Sequence, residues 1–345
     1  LAALAVTAVI GATALLLASC ASAAPSSTAA PTSTGAATST AAGKLAVMTK
    51  VSLLLDFHVY GAHAGIYDAI EKGYYKADNI DLTVTQPNDT ATSLKLVQAG
   101  KADIGLASPI DMIAADASGS PYTAFLSIVG GNLEGLAVRT DSGITRMKDL
   151  AGKKIGIGSP ASKALIAAQI SGGGGDPGKS TFIITGENFM QYLSAGSIDA
   201  AGAFLPDVAS ANLSGAKVSF IPLGKDGGLA FPSLVAYANK STLASDPALI
   251  RAFTDATVKG YLDTIEHPAQ SAAATAAANP GLKYADFAAQ VQAIGAAFQG
   301  SSPEYGYVNV GHLQALADFL QRSGAVTNPP KASEFATDEF VQKAK

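Results

Sequence analysis

The chain has 345 residues, 48% hydrophobic and 14% charged, with a formal net charge of −4 at pH 7. No basic block occurs, which excludes the electrostatic footprint of a nucleic-acid binder. The single cysteine excludes an internal disulfide framework and cysteine metal sites.

Leu1 to Leu17 is an uncharged apolar run that ends in Leu17-Ala18-Ser19-Cys20. It is marginal as a membrane span, which needs ~20 apolar residues, and reads as a secretion signal. A small-residue pair before a lone cysteine resembles a bacterial lipoprotein processing site. Residues 1–20 are then the signal peptide, and Cys20 is the lipidated residue. The alternative is an ordinary signal peptide in which Cys20 is inert. The chain opens without Met or a basic stretch, so the native N-terminus is expected upstream. Residues 21–44 are almost entirely Ala, Ser, Thr, Pro and Gly. They offer nothing to bury against their ordering entropy and are expected to form a disordered tether. The expected location is extracytoplasmic, with the chain held to the cell membrane through its lipid.

From Val47 onward short β-branched runs alternate with helical stretches. Strands are expected at Val51–Leu55, Ile80–Gln86 and Ala102–Leu106, and helices at Gly65–Lys72, Ala91–Ala99 and Ile110–Ala117. A second series begins with a strand at Lys153–Gly158 and a helix at Ala161–Ile170. It continues through a strand at Phe182–Ile184, a helix at Phe189–Ala195 and a strand at Ile198–Phe204. After Lys240 the chain reads as Ala-rich helices at Ala248–Glu266, Ala269–Ala278, Ala285–Phe298 and Gly311–Gln321. This alternation predicts an α/β fold with helices on both sheet faces.

About 300 residues exceed one core, so two lobes are expected. Lobe one is placed at 45–138 and 240–345, the latter its return and C-terminal helices; lobe two is placed at 139–239. Paired crossings near Val138-Arg139-Thr140 and Ala238-Asn239 would make a hinge, with ligands bound beyond the carboxyl strand ends.

Leu54-Leu55-Asp56-Phe57, His63-Ala64-Gly65-Ile66-Tyr67, Glu71-Lys72-Gly73-Tyr74-Tyr75 and Asn79-Ile80-Asp81-Leu82 carry a family resemblance. So do the stretches Val97–Gly105, Asp149–Gly156, Leu193–Ala200 and Phe231-Pro232-Ser233. Over roughly 47–265 the chain resembles solute-binding proteins for pyrimidine thiamine precursors. More broadly it resembles the importer-binding proteins that also take sulfonates, nitrate and taurine. The resemblance implies the two-lobe periplasmic-binding-protein-like (type II) fold, with the ligand cleft between lobes. It also implies capture of a small heteroaromatic solute by lobe closure, delivery to an ABC permease with its ATPase, and no catalysis. A monomer is expected, without cofactor or metal. The alternatives are a sulfonate, nitrate or other solute, a pyrimidine-synthesising enzyme on the same fold, and a ligand-sensing accessory lipoprotein. Aligned on the synthesising group, Ala107 stands at its cofactor-binding lysine and Asp111 at its histidine, and the cysteine motif is missing.

The loop Asp56–His63 follows the first strand and lines the ligand in the resembled family. Asp56, Phe57, Tyr60 and His63 are its candidates. Phe57 stands where the family has Trp and stacks without donating a hydrogen bond. Packing under the loop is the alternative for both rings. His58 and His63 with Asp56 do not share a helix face, and His63 reads as bonded to the loop backbone. Phe204 and Asp207 offer a ring and a carboxylate for an aminopyrimidine; Asp207 alternatively opposes a helix dipole. Ser108 and Ser159 lie at strand ends and Ser162 is an N-cap candidate for its helix; all three read as cleft contacts or as caps. Asn188, Phe231 and Ser233 complete the candidate set. Only four arginines occur, at 139, 146, 251 and 322, and none lies on a predicted cleft loop. That disfavours an oxyanion ligand, which Arg forks commonly clamp, although helix N-termini at Ser159 or Ser108 could hold an anion without Arg. Gly173–Ser180 matches a nucleotide-binding loop literally, but a helix precedes it and β-branched residues follow. This reversal makes it a helix-to-strand loop.

Overall fold

A computed structural model describes residues 43–341, apart from 88, 89, 118, 120, 159 and 228. The expected signal peptide, Cys20 and nearly all of the expected tether lie outside the described residues.

The chain runs β1 (Thr49–Leu54), α1 (Ala64–Glu71), α2 (Tyr74–Ala77), β2 (Ile80–Thr85), α3 (Thr90–Gln98), β3 (Ile104–Ala107), α4 (Pro109–Asp116) and β4 (Tyr122–Val129). It continues with β5 (Glu134–Arg139), β6 (Lys154–Ile157), α5 (Pro160–Gly172), β7 (Thr181–Ile184), α6 (Phe189–Ser194), β8 (Ala200–Phe204), α7 (Leu205–Leu213) and β9 (Val218–Pro222). It closes with β10 (Leu234–Asn239), α8 (Lys240–Ser245), α9 (Pro247–Glu266), α10 (Pro268–Ala278), α11 (Tyr284–Ile294), α12 (Val310–Arg322) and α13 (Ala332–Phe335).

Two five-stranded sheets result, ordered β2-β1-β3-β10-β4 and β7-β6-β8-β5-β9. In the first, β1 is parallel to β2 and β3, and β10 is antiparallel to β3 and β4. In the second, β6 is parallel to β7 and β8, and β5 is antiparallel to β8 and β9. The sheets therefore share one plan, and each contains one antiparallel strand that follows a crossing from the other sheet. The fold is mixed α/β, as expected.

Strands β3, β4, β5 and β10 are buried almost throughout because both sheet faces are covered, whereas the edge strands β2 and β7 are half exposed. Apolar side chains of the first sheet fall in one core around Leu53, Leu106 and Ile128 and another around Ala107, Val235 and Tyr237. The second sheet has cores around Leu136, Ile155 and Ile170 and around Leu193, Ile198 and Val208. Each fully buried Leu or Ile contributes about 1.5–3 kcal/mol relative to exposure. Helices α1 and α9 touch through Gly65: a Cβ there would lie 2.4 Å from the Tyr261 ring, so only glycine allows this approach.

The structure moves both expected boundaries. The chain changes sheets at 130–133, before β5, and again at 223–233, before β10. The expected boundaries at 139 and 239 are instead the far ends of those strands. Arg139-Thr140 and Asn239-Lys240 look like linkers because they are the polar exits of strands inserted into the sheet just entered. Asn132 ties the crossings together. Its amide donates to the Leu223 carbonyl at 2.6 Å, and its Oδ1 accepts from the Phe231 N–H at 3.3 Å.

The strands β4, β5, β9 and β10 were not among those expected. Gly173–Ser180 does join helix α5 to strand β7. Among the described residues no helix is long and apolar enough to cross a membrane.

Candidate functional site

The loop leaving β1 is built on one carboxylate. Asp56 Oδ2 accepts from the Tyr60 hydroxyl at 3.1 Å, and Asp56 Oδ1 lies 2.7 Å from His63 Nε2. The Tyr60 backbone N–H donates to His63 Nδ1 at 3.3 Å. By that bonding pattern the imidazole proton sits on Nε2, facing Asp56. His63 is fully buried at the start of α1. The Tyr60 ring meets the His63 ring at 4.4 Å between centroids. Burial, and then the charge of Asp56, hold the Tyr60 phenol well above its ordinary pKa, so it remains a neutral donor.

The facing wall comes from the second sheet. Strand β8 ends at Phe204, and α7 begins with Pro206 and Asp207 in its first turn. The Tyr60 and Phe204 rings meet edge to face at 5.6 Å and 66°, so an aromatic contact joins the loop of one sheet to the strand end of the other.

Two cavities share Phe204 and Asp207. The larger, about 530 Å³, lies among Asp56, Phe57, Tyr60, Ser210, Asp286 and Gln290. The smaller, about 300 Å³, lies among Glu134, Gly158, Ser162, Ile166, Phe189 and Gly202. Four carboxyl groups, of Asp56, Asp207, Asp286 and Glu134, line them against one ammonium, Lys283. Burial raises the pKa of Glu134, whose Oε2 accepts from the Ser233 hydroxyl at 2.7 Å. Asp111, in the first turn of α4, is also raised, by desolvation and then by the charge of Asp56. Among the described residues no group of three or more His, Cys, Asp or Glu is arranged to hold a metal ion.

Of the expected residues, Asp56, Phe57, Tyr60, Phe204, Asp207 and Ser162 line these cavities. The others stand elsewhere. His63 lies behind the wall and holds Asp56. Ser108 caps α4, accepting from the Ile110 N–H at 3.2 Å. Asn188 is exposed ahead of α6 and makes no capping bond. Phe231 is 1% exposed and packs in the core beside Val235 and Tyr237, because it lies on the second crossing where the chain re-enters the first sheet. Ser233 also lies behind the wall: it accepts from the Leu133 N–H at 2.6 Å and donates to Glu134. Ser159 lies outside the described residues.

The sequence reading missed Glu134, Phe189, Ser210 and Gln290. Glu134 opens a strand that was not expected. Gln290 sits in a helix with no motif around it, and only the fold brings it to the cleft.

The family described as NMT1/THI5 like matches residues 61–271. The chain belongs to this family. A 4-amino-5-hydroxymethyl-2-methylpyrimidine phosphate synthase of Aspergillus parasiticus is 29% identical over 233 residues, 64% of this chain and 68% of that protein. One of Legionella pneumophila is 28% identical over 243 residues, 69% of this chain and 76% of that protein. Among solved structures, the periplasmic aliphatic sulphonate binding protein SsuA of Escherichia coli aligns with a TM-score of 0.65 at 18% identity. That alignment covers 83% of this chain and 96% of that one. The second likeness is one of fold and confirms the periplasmic-binding-protein-like architecture. The first corrects the expectation of a protein that performs no catalysis, because these NMT1/THI5-like relatives carry the name of an enzyme.

Proposed function

We propose that this chain captures a small heteroaromatic solute of the aminopyrimidine type between two lobes, one around each sheet, and serves as the solute-binding component of an importer. The observation that carries this reading is the pair of cavities joined at Phe204 and Asp207, with rings from both sheets in contact beside them. Rings give a flat solute its faces, and carboxylates accept from its amino groups. The excess of carboxyl groups over cations opposes a sulfonate or nitrate. The names of the relatives support the pyrimidine class, and the fold of SsuA supports capture by lobe closure. The same reading takes the chain to lie outside the cell membrane as a monomer, anchored through Cys20 on the tether of residues 21–44. There it would hand its solute to a permease and ATPase. A second reading of the same cleft is conversion of the bound pyrimidine, and it is favoured by the name of the relatives.

Calorimetric titration with 4-amino-5-hydroxymethyl-2-methylpyrimidine, an aliphatic sulfonate and nitrate tests the proposal. Saturable binding of the pyrimidine, lost in Phe204→Ala or Asp207→Ala with the fold retained, is the expected result. Binding of the sulfonate alone, or of no probe, overturns it. Mass spectrometry of the titrated pyrimidine distinguishes release unchanged from conversion.

A further inference from the structure

Four glycines line the smaller cavity, and their reasons for being glycine differ. At Gly135 a Cβ would lie 2.4 Å from the Ile221 carbonyl oxygen and the Phe220 ring, so packing demands glycine. At Gly186 the backbone demands it, with φ +54°. Neither reason applies to Gly158 or Gly202. Both lack a positive φ. A Cβ on Gly158 would meet nothing within 4 Å. One on Gly202 would meet first the Ile166 Cδ1, at 3.5 Å, an ordinary contact.

Gly202 lies inside β8, between β5 and β6, and Gly158 directly follows β6. Glycine in a strand interior costs backbone entropy relative to alanine and offers no side chain to pack. A strand glycine marks a bulge, a bend or a close approach by another backbone or a ligand, and at Gly202 no positive φ or tight neighbour accounts for it. Both glycines line the cavity walled by Phe189, Phe204, Leu165 and Ile166, with Ser162 and Glu134 as polar groups.

We propose that Gly158 and Gly202 form the floor of a slot that admits a planar ring face-on and are the size filter of the cleft. This rests on the reading of the cleft as a solute site. A flat ring lies against bare peptide planes at van der Waals distance, and one added methyl holds it off. Ile166, beside Gly202, sets how far the slot extends.

The test is Gly158→Ala and Gly202→Ala in the full chain. Binding of 4-amino-5-hydroxymethyl-2-methylpyrimidine and of an aliphatic sulfonate is measured, together with the melting temperature of the ligand-free protein. The expected result is a tenfold or greater loss of pyrimidine affinity in each variant, with a melting temperature equal to or above that of the wild type. Gly135→Ala is the contrast and should lower the melting temperature. Wild-type binding of the pyrimidine with unchanged affinity in both variants overturns the slot and leaves the solute reading standing. A sulfonate bound equally by wild type and variants also overturns the slot. A wild type that binds neither probe overturns the solute reading, and the slot with it.

Discussion

The side-chain carbonyl of Gln290 accepts the backbone N–H of Gly61 at 2.7 Å, across 229 positions of sequence. Its amide donates to the Ser210 hydroxyl of α7 at 3.0 Å. One side chain of α11 thus holds both the loop that follows β1 and the helix that follows β8. Gln290→Ala leaves a part-buried N–H without its acceptor. The expected loss is about 1–3 kcal/mol in a urea titration, with about 0.5–1.5 kcal/mol for Ser210→Ala. At Gly61 a Cβ would stand 2.6 Å from the Gln290 Cβ and 3.0 Å from the Val291 nitrogen. Gly61→Ala should therefore destabilise by about 1–3 kcal/mol, because backbone cannot give way. Wild-type midpoints in these variants would remove the tie.

Asp56 carries the loop through its two bonds, to Tyr60 and to His63. Asp56→Asn replaces one accepting oxygen with an amide that faces a donor. The hydroxyl of Tyr60 or the Nε2–H of His63 then loses its partner. The expected result is a destabilisation of about 1–3 kcal/mol, with pyrimidine affinity down tenfold or more because Tyr60 shifts against Phe204. Tyr60→Phe should cost only the one hydrogen bond, about 0.5–1.5 kcal/mol. Urea titration and calorimetry on both variants check this, and equal effects from the two would contradict it.

The parallel half of each sheet was legible in the sequence because its short strands are each followed by a helix with a clear end. Gly73 and Gly100, for example, both have positive φ. The antiparallel half was not. Tyr122–Val129 and Leu234–Asn239 are almost wholly buried runs that pair with each other, and the second joins the sheet only after the chain returns from the other one. Their periodicity is that of buried runs and carries no direction. Residues that line the cavities were legible where a strand end and a helix start fall together, as at Asp56–His63 and at Phe204–Asp207. They were illegible where a distant helix supplies them, as at Gln290. Ser233 and Phe231 were drawn into the site by their motif, although the chain there is re-entering the first sheet.

Glu134 makes stability depend on pH in a defined direction. Its carboxyl has an ordinary pKa of 4.5 and is raised in the folded chain, chiefly by burial. Between the two values the folded state binds more protons than the unfolded, so stability falls as pH rises through that window. Glu134→Gln keeps an acceptor for the Ser233 hydroxyl and removes the titration. The melting temperature of the variant should therefore gain on the wild type as pH climbs above 4.5. Below that value the difference should be constant. Parallel melting curves from pH 4 to 8 would rule this out. Asp111, raised in the same sense, contributes a further fall that the variant retains.

Phe231 and Phe204 give opposite expectations, although motif reading assigns both to the ligand. Phe231 is 1% exposed in the core it shares with Tyr237 and Leu316, and its N–H is bonded to Asn132. Truncation leaves a cavity bounded by strand and helix, so Phe231→Ala should cost about 3–5 kcal/mol. Solute affinity, measured at a temperature where the variant is folded, should stay within about twofold, because the ring touches neither cavity. Phe204 is partly buried and lines both cavities, with one face of its surroundings supplied by Tyr60. Phe204→Ala should lose less stability and tenfold or more in affinity. Urea denaturation and calorimetry on the same two preparations separate the roles. A Phe231→Ala protein that is stable but does not bind would put the solute against the second crossing instead of the cleft at Phe204.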